Sequence, residues 1–327
     1  MAADGLVCGI DLGGTKLLGV VLDPRREGPP LLEERVPTPR GETAVIAALV
    51  TLVGRLEQRL AAEGRGPLNA VGLGAPGLVD RTGTFRYGPN LPGVIDCDLG
   101  SALTDGTGLA TVVDNDASAA AWAEHERGAG RGCDHLLLVT LGTGIGAGIV
   151  VDGQPLRGAN GFAGEPGHMV VEPDGPLCPC GRRGCWERFA SGSGLGRLAR
   201  EAAHAGRAGR VLEIAGGDAE DVKGEHVTTA AAEGDVEAGE VLRRFGWWVA
   251  LGVANPVNIL DAETVVIGGG LAEAGDLVLE PTRVAYRELV LAAEHRPEVP
   301  IVGAHLGEHA GAIGAALLAV RRAGRPS

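Results

Sequence analysis

Basic residues are scarce in this chain: 29 Lys and Arg stand against 42 Asp and Glu, a formal net charge of −13 at pH 7. No basic stripe stands out against that deficit, which argues against a nucleic-acid partner. Long apolar runs are missing too. The uncharged stretch Leu136 to Val151 is too short to cross a bilayer, and Gly142, Gly144, Gly146 and Gly148 interrupt it. The opening residues MAADGLVCGID lack the basic and apolar regions of a secretion leader. A soluble, cytoplasmic protein with no membrane partner is the expectation. Six cysteines in 327 residues do not make the disulfide framework of a small secreted chain, and Cys8, Cys97 and Cys133 are scattered singly, reading as small apolar residues. Apolar residues make up 45% of this length, which suits two cores better than one.

The other three cysteines are not scattered. His168, Cys178, Cys180 and Cys185 fall in the run EPGHMVVEPDGPLCPCGRRGCWE. Three thiolates and an imidazole fill the tetrahedral shell that zinc prefers, and the short spacings let one tight loop deliver all three sulfurs. Glu165 and Glu187 bracket the cluster.

An internal repeat runs at an offset of 129 positions, with GIDLGGTKLLGVVLD from Gly9 matching LVTLGTGIGAGIVVDG from Leu138 without a gap. Leu12 falls on Leu141, Gly13 on Gly142, Gly19 on Gly148 and Asp23 on Asp152. Each copy reads as strand, glycine turn and strand, a hairpin whose tip can approach a ligand closely. Backbone N–H groups at two such tips would clamp a polyphosphate from both sides. The remainder reads as alternating helix and strand. Helices are expected over Val45 to Leu60, Ala117 to Glu126, Ala238 to Ala254, Leu277 to Ala293 and about Ala310 to Arg322. AVGLGAPG, ETVVIGGG and VPIVG read as strands, and Gly216 to Glu225 as a solvated acidic loop.

Two motifs suggest phosphoryl transfer. Asp11-Leu12-Gly13-Gly14-Thr15-Lys16 is not a Walker A loop, yet it supplies donors for a γ-phosphate and an acid for hydrated Mg²⁺; Lys16 is equally readable as a solvated charge. Asp116, where Val112-Val113-Asp114-Asn115-Asp116 enters an alanine-rich helix, is either an N-cap or a general base held ionised by the helix N-terminus. The two roles are compatible.

Together DLGGTK, DNDASAA, LGTGIGAG, Glu-Pro-Gly-His, CPCGRRGCWE and Asn-Pro followed by Gly-Gly-Gly resemble the ROK family of bacterial sugar kinases and regulators over nearly the whole chain. The resemblance implies an α/β fold of two duplicated, actin-like or hexokinase-like (ribonuclease H-like) lobes around a central ligand cleft. It places residues 1–117, joined by a C-terminal helix 310–327, in one lobe and residues 118–309 in the other. It implies Asp116 as catalytic base on a hexose 6-hydroxyl and Asn90, Asn115, Glu165, His168 and Glu187 as sugar ligands. His168 would also join Cys178, Cys180 and Cys185 on a structural zinc that does no chemistry but keeps the sugar loop in register. Asp11, Gly13, Gly14, Thr15 and Lys16 would meet the phosphates of Mg-ATP from one side and Gly142, Thr143 and Gly144 from the other, with Gly268 and Gly269 at the adenosine. Many relatives carry Trp where this chain has Val94.

An ATP-dependent glucose kinase is the first expectation. Kinases of N-acetylmannosamine, N-acetylglucosamine, fructose or allose come second, and a polyphosphate-using enzyme third, since such relatives generally lack the cysteine motif. A DNA-binding sugar sensor is disfavoured because only ten residues precede Asp11 and a pure sensor has no use for a base at Asp116; a non-catalytic sugar-binding protein acting through other partners stands as a further alternative. Relatives suggest a homodimer or homotetramer.

Overall fold

The computed structural model describes residues 5–323, so residues 1–4 and 324–327 of the expected first lobe lie outside the described residues. The first half contains β1 (Leu6–Leu12), β2 (Lys16–Leu22), β3 (Leu32–Pro37), α1 (Glu42–Ala62), β4 (Leu68–Ala75), the short pair β5 (Leu78–Val79) and β6 (Phe85–Tyr87), α2 (Leu99–Thr107) and β7 (Ala110–Asn115). Next come α3 (Asp116–Arg127), β8 (Leu136–Leu141), β9 (Ile145–Val151), β10 (Gln154–Pro155) and α4 (Glu187–Ala190). The chain continues through α5 (Gly192–His204), α6 (Gly209–Ile214), α7 (Gly224–Ala232), α8 (Val236–Leu260), β11 (Thr264–Gly268), α9 (Asp276–Leu289), β12 (Ile301–Gly303) and α10 (Ala310–Ala323). Among these, no helix is long and apolar enough to cross a membrane.

The two larger sheets run β3-β2-β1-β4-β7 and β10-β9-β8-β11-β12. Each has an antiparallel hairpin extended by a third antiparallel strand, and two parallel strands on its other side. The duplication read from the sequence is therefore a duplication of topology. It is not one of register. Leu12 faces Leu17, whereas Leu141 faces Ile145, so the second turn is one residue tighter than the gapless alignment implies. Gly13 N–H closes the first turn on the Lys16 carbonyl, and Gly142 N–H closes the second on that of Gly144, both at 3.0 Å.

Burial rather than capping makes α1. Gly41 offers no side-chain cap, yet Val45, Leu49, Leu52, Val53, Leu56 and Leu60 all face the first core. Each is worth about 1.5–3 kcal/mol when buried, which outweighs the roughly 1 kcal/mol penalty of Gly54 inside the helix. The same balance extends α8. It was expected to stop before Pro256, but it runs through that proline to Leu260 because Val253, Ala254, Pro256 and Val257 are buried in the second core. The helix expected over Leu277 to Ala293 instead ends at Leu289, and Ala292 adopts a left-handed φ of 54°. The acidic stretch Gly216 to Glu225 is not wholly a solvated loop: Val222 is fully buried and α7 begins at Gly224.

Two helices join the halves. Helix α3 leaves the first sheet and packs on β9 of the second, whereas α10 leaves the second sheet and packs on β1 and β4 of the first. The helices also cross each other, so closely that a Cβ at Gly314 would overlap the Ala119 carbonyl oxygen; a Cβ at Gly72 would likewise overlap that of Ala315. The fully buried Glu124 of α3 fastens this crossing. Its carboxylate accepts the N–H groups of Ala129 (2.7 Å), His305 (3.1 Å) and Leu306 (2.8 Å), the last two from the segment entering α10. Glu124→Ala would take the buried acceptor from three part-buried backbone donors, at about 1–3 kcal/mol each. The expected loss of unfolding free energy is at least about 3 kcal/mol, read by urea denaturation, and a loss under about 1 kcal/mol would contradict this role.

Candidate active site

The carboxyl ends of β1, β4 and β7 lie side by side, with Asp11 opposite Gly74 and Gly74 opposite Asp114. Ligands of open α/β sheets bind at such strand ends. The chain then turns into α3, and the turn chemistry differs from expectation. Asn115, not Asp116, is the N-cap: its Oδ1 accepts Ser118 N–H at 2.9 Å, while its Nδ2 donates to the Gly77 carbonyl at 3.1 Å. Asp116 is the first helical residue, its carboxylate taking the Ala117 N–H at 2.7 Å.

Asp116 is also not an ordinary ionised carboxylate. Burial, then the neighbouring charge of Asp11, then Glu165, push it up from 3.8 to about 7, against the opposing effect of the Ala117 hydrogen bond. Burial likewise raises Asp11 to about 6, countered in part by Lys16. Glu165 is raised by burial and by Glu187, and lowered by His168. Asp116 thus lies near acids from both halves, and the charges of Asp11 and Glu165 both make it harder to ionise.

Glu165 and His168 come from a short 3₁₀ turn over Pro166–His168. A Cβ at Gly164 would lie 2.8 Å from the Ala147 carbonyl oxygen and one at Gly167 2.6 Å from that of Ile145, so these glycines let the turn lie flat on β9. His168 points two ways: Nε2 is 4.0 Å from Glu165, while Nδ1 is 3.9 Å from Cys178 Sγ and 4.0 Å from Glu187. Glu187 begins α4 and links two features. Its Oε1 accepts the Cys178 thiol at 3.1 Å, and its Oε2 accepts Ile145 N–H at 3.4 Å beside the second glycine turn.

The donor atoms of His168, Cys178, Cys180 and Cys185 all lie within 4.8 Å of one another, with Cys180 and Cys185 sulfurs 3.6 Å apart. A tetrahedron with Zn–S bonds of about 2.3 Å has edges of about 3.8 Å, so these four residues suit zinc in chemistry and lie close to its spacing. The remaining cysteines offer nothing similar. Cys8 and Cys97 are buried, Cys8 with its thiol pushed up to about 12, and Cys133 donates to the Gly130 carbonyl.

A groove of 1340 Å³ opens beside the second glycine turn, lined by Gly142, Thr143, Ser193, Lys223, Thr228 and Leu271 among others. Helices α5 and α7 supply much of its wall, residues that carry no motif and were not picked out from the sequence. The structure puts Gly270 on the groove, whereas Gly268 is buried beneath it and Gly269 packs against the backbone of Leu141. In the first half, Gly13, Gly14 and Thr15 form the exposed turn, and Lys16 is engaged elsewhere, 2.9 Å from Glu308. Asn90 is exposed with its backbone against Gly14; with Thr38, Arg40 and the buried Val94 it borders a cavity of 230 Å³.

Comparison with known proteins gives this arrangement a context. A glucokinase of Streptomyces coelicolor is 38% identical over 320 residues, 96% of this chain and 98% of that one. An N-acetylmannosamine kinase of Escherichia coli O139:H28 is 35% identical over 315 residues, 95% and 97% of the two chains. Among solved structures, a ROK family glucokinase from Streptomyces griseus in complex with glucose and AMPPNP is 38% identical and superimposes with a TM-score of 0.84, covering 97% of this chain and all (100%) of that one. The fold is accordingly the two-lobed, actin-like fold of sugar kinases. Since the ROK family model also matches residues 7–322, this chain belongs to the ROK family.

Proposed function

We propose that this ATP-dependent hexose kinase acts on glucose, moving the γ-phosphoryl group of Mg-ATP to the 6-hydroxyl with Asp116 as general base. The observation that carries the reading is the position of Asp116: a carboxylate with a pKa of about 7, at the junction of the halves, facing acids from both. The likeness to glucokinases, at 38% identity over nearly the whole chain, supports glucose. Asn90, Asn115, Glu165, His168 and Glu187 are carboxylate, amide and imidazole groups suited to a ring of hydroxyls that both donate and accept. The glycine turns Gly13 to Thr15 and Gly142 to Gly144 would hold the phosphates, and the groove beside Leu271 the adenosine. Asp11 would hold hydrated Mg²⁺, which neutralises charge on the β- and γ-phosphates. As the bond from O6 to phosphorus forms and that from the β,γ-bridging oxygen breaks, the hydroxyl proton passes to Asp116. The zinc set would act on shape alone, holding His168 and Glu187 in place.

A base must be unprotonated, so kcat/KM is expected to fall as pH drops through about 7, with one proton bound per active site. A flat profile between pH 5.5 and 8.5, or a limb near the ordinary aspartate value of 3.8, would remove the assignment. The identity to an N-acetylmannosamine kinase favours a second reading, a kinase of another hexose or N-acetylhexosamine. A coupled assay over glucose, mannose, fructose and the N-acetylated hexoses, with ATP and polyphosphate as donors, decides between them. Glucose should show the largest kcat/KM with ATP; a larger value for an N-acetylhexosamine favours the second reading, and binding without turnover a sugar sensor.

A further inference from the structure

The segment that leads from β10 to the Glu165 turn belongs by sequence to the second half but is fastened to the first. Arg157, two residues beyond β10, places Nη2 2.9 Å from Oδ1 of Asp114 on β7. The Arg81 N–H donates to the Asn160 carbonyl at 3.2 Å, and Arg81 Nη1 to the Gly158 carbonyl at 3.3 Å. Gly161 continues the contact, since a Cβ there would lie 2.6 Å from the Val79 carbonyl oxygen. Residues 157–161 therefore lie on the 79–81 turn of the first half, and a few residues later Gly164 and Gly167 seat the chain on β9. The loop that delivers Glu165 and His168 is a strap, held at its start by one half and at its end by the other.

Most of that strap is held by backbone groups, which fix a loop adequately. The Asp114–Arg157 contact is different in kind. Asp114 is 2% exposed, and a buried charge is retained at a desolvation penalty that apolar packing would avoid. The pair therefore adds little to stability that a hydrophobic contact could not, but it ties the start of the strap to β7 at one point. Asp114 Oδ1 also accepts the Asn115 N–H at 2.9 Å, so the carboxylate that grips Arg157 orients the peptide leading into the α3 cap and Asp116. Asp114 Oδ2 and both Nε and Nη2 of Arg157 have no hydrogen-bond partner, so the pair meets as charges, Nη2 against Oδ1, without a directional bond.

We infer that Arg157 is a positioning residue which, through buried Asp114, sets the separation between Asp116 on one side of the cleft and Glu165 and His168 on the other. The inference rests on the sugar-site reading of Glu165 and His168 given above. Displacing a substrate contact by about 1 Å can cost about 10²-fold in rate, so a single anchor of this kind has a measurable effect. The test uses the full chain as Arg157→Met, Arg157→Lys, Asp114→Asn and the Arg157→Met/Asp114→Asn double variant. Hexose affinity is measured by calorimetry with glucose, and KM for hexose and for ATP are measured separately.

Arg157→Met should weaken glucose binding and raise hexose KM by about 10-fold or more while ATP KM stays within about two-fold. Arg157→Lys should recover part of the loss, and the double variant should be no worse than Arg157→Met alone, because both act through one contact. Unchanged glucose affinity in folded Arg157→Met, or equal changes in both KM values, overturns the inference. Should Arg157→Met fail to fold, Asp114→Asn, which keeps the side-chain shape but removes the charge that holds Arg157, carries the same split and the same refutation. Calorimetry is independent of turnover, so absent wild-type turnover defeats the catalytic reading, whereas unaltered glucose binding in the variants defeats the strap.

Discussion

Asp116→Asn will lower kcat by about 10²–10⁴-fold while hexose affinity stays within a few-fold, because the amide keeps the shape and hydrogen-bonding reach of the carboxylate but cannot take a proton. The same substitution should stabilise the ligand-free protein at alkaline pH. The folded-state pKa of Asp116 is raised to about 7 from 3.8, so the fold prefers its protonated form. Its contribution to stability is complete below 3.8 and is lost as pH rises through about 7. Asparagine stays neutral and keeps that contribution. Melting curves at pH 5 and pH 8 should therefore show the variant gaining more on the wild type at the higher pH. Wild-type turnover in Asp116→Asn would remove Asp116 from the chemistry. A variant destabilised equally at both pH values would show that the carboxylate is not held against its preference.

Stripping the metal, or replacing the fully buried Cys185 by serine, will lower hexose affinity by about 10-fold or more and the melting temperature with it, with ATP affinity changed much less. Geometry separates the two ligands. Glu165 and His168 share one short turn, and Glu187 follows Cys185 by two residues, so release of the four-residue cluster frees all three sugar candidates at once. The groove proposed for the nucleotide is lined instead by the second glycine turn and by α5 and α7. Glu187 links the two through its bond to Ile145 N–H, and Arg188 beside it reaches the groove wall. Native protein isolated without metal, or metal-free protein with unaltered glucose affinity, would overturn the prediction; equal losses for glucose and ATP would mean that the loop supports the whole cleft.

The repeat was legible because its strands are continuous apolar runs, and the meeting of His168 with three cysteines because their spacing is local. Side-chain chemistry at short range is what a sequence records best. The hairpin register was lost because an alignment without gaps cannot show that one turn closes over Gly13 to Lys16 and the other over Gly142 to Gly144. The passage of α8 through Pro256 was lost because local propensity was outweighed by burial of Val253 and Val257. The depressed ionisation of Asp116 depends on Asp11 and Glu165, neither of which is near it in sequence. Long-range polar anchors were invisible for the same reason: Glu124 reaches Leu306 across 182 positions, and Arg157 reaches Asp114 between halves. No local pattern marks either carboxylate.

The exchange of helices has a consequence for assembly in time. The face of the first sheet formed by Val7, Leu18, Val20 and Leu22 is covered by Ala312, Ile313, Ala316 and Ala319. During synthesis that face stays bare until residues 310–323 emerge, after every strand of both sheets has been made. The nascent first half is therefore an incomplete body, and contacts of such long range close slowly. Vectorial synthesis here delays completion: the earliest strands to leave the ribosome are among the last to find their cover.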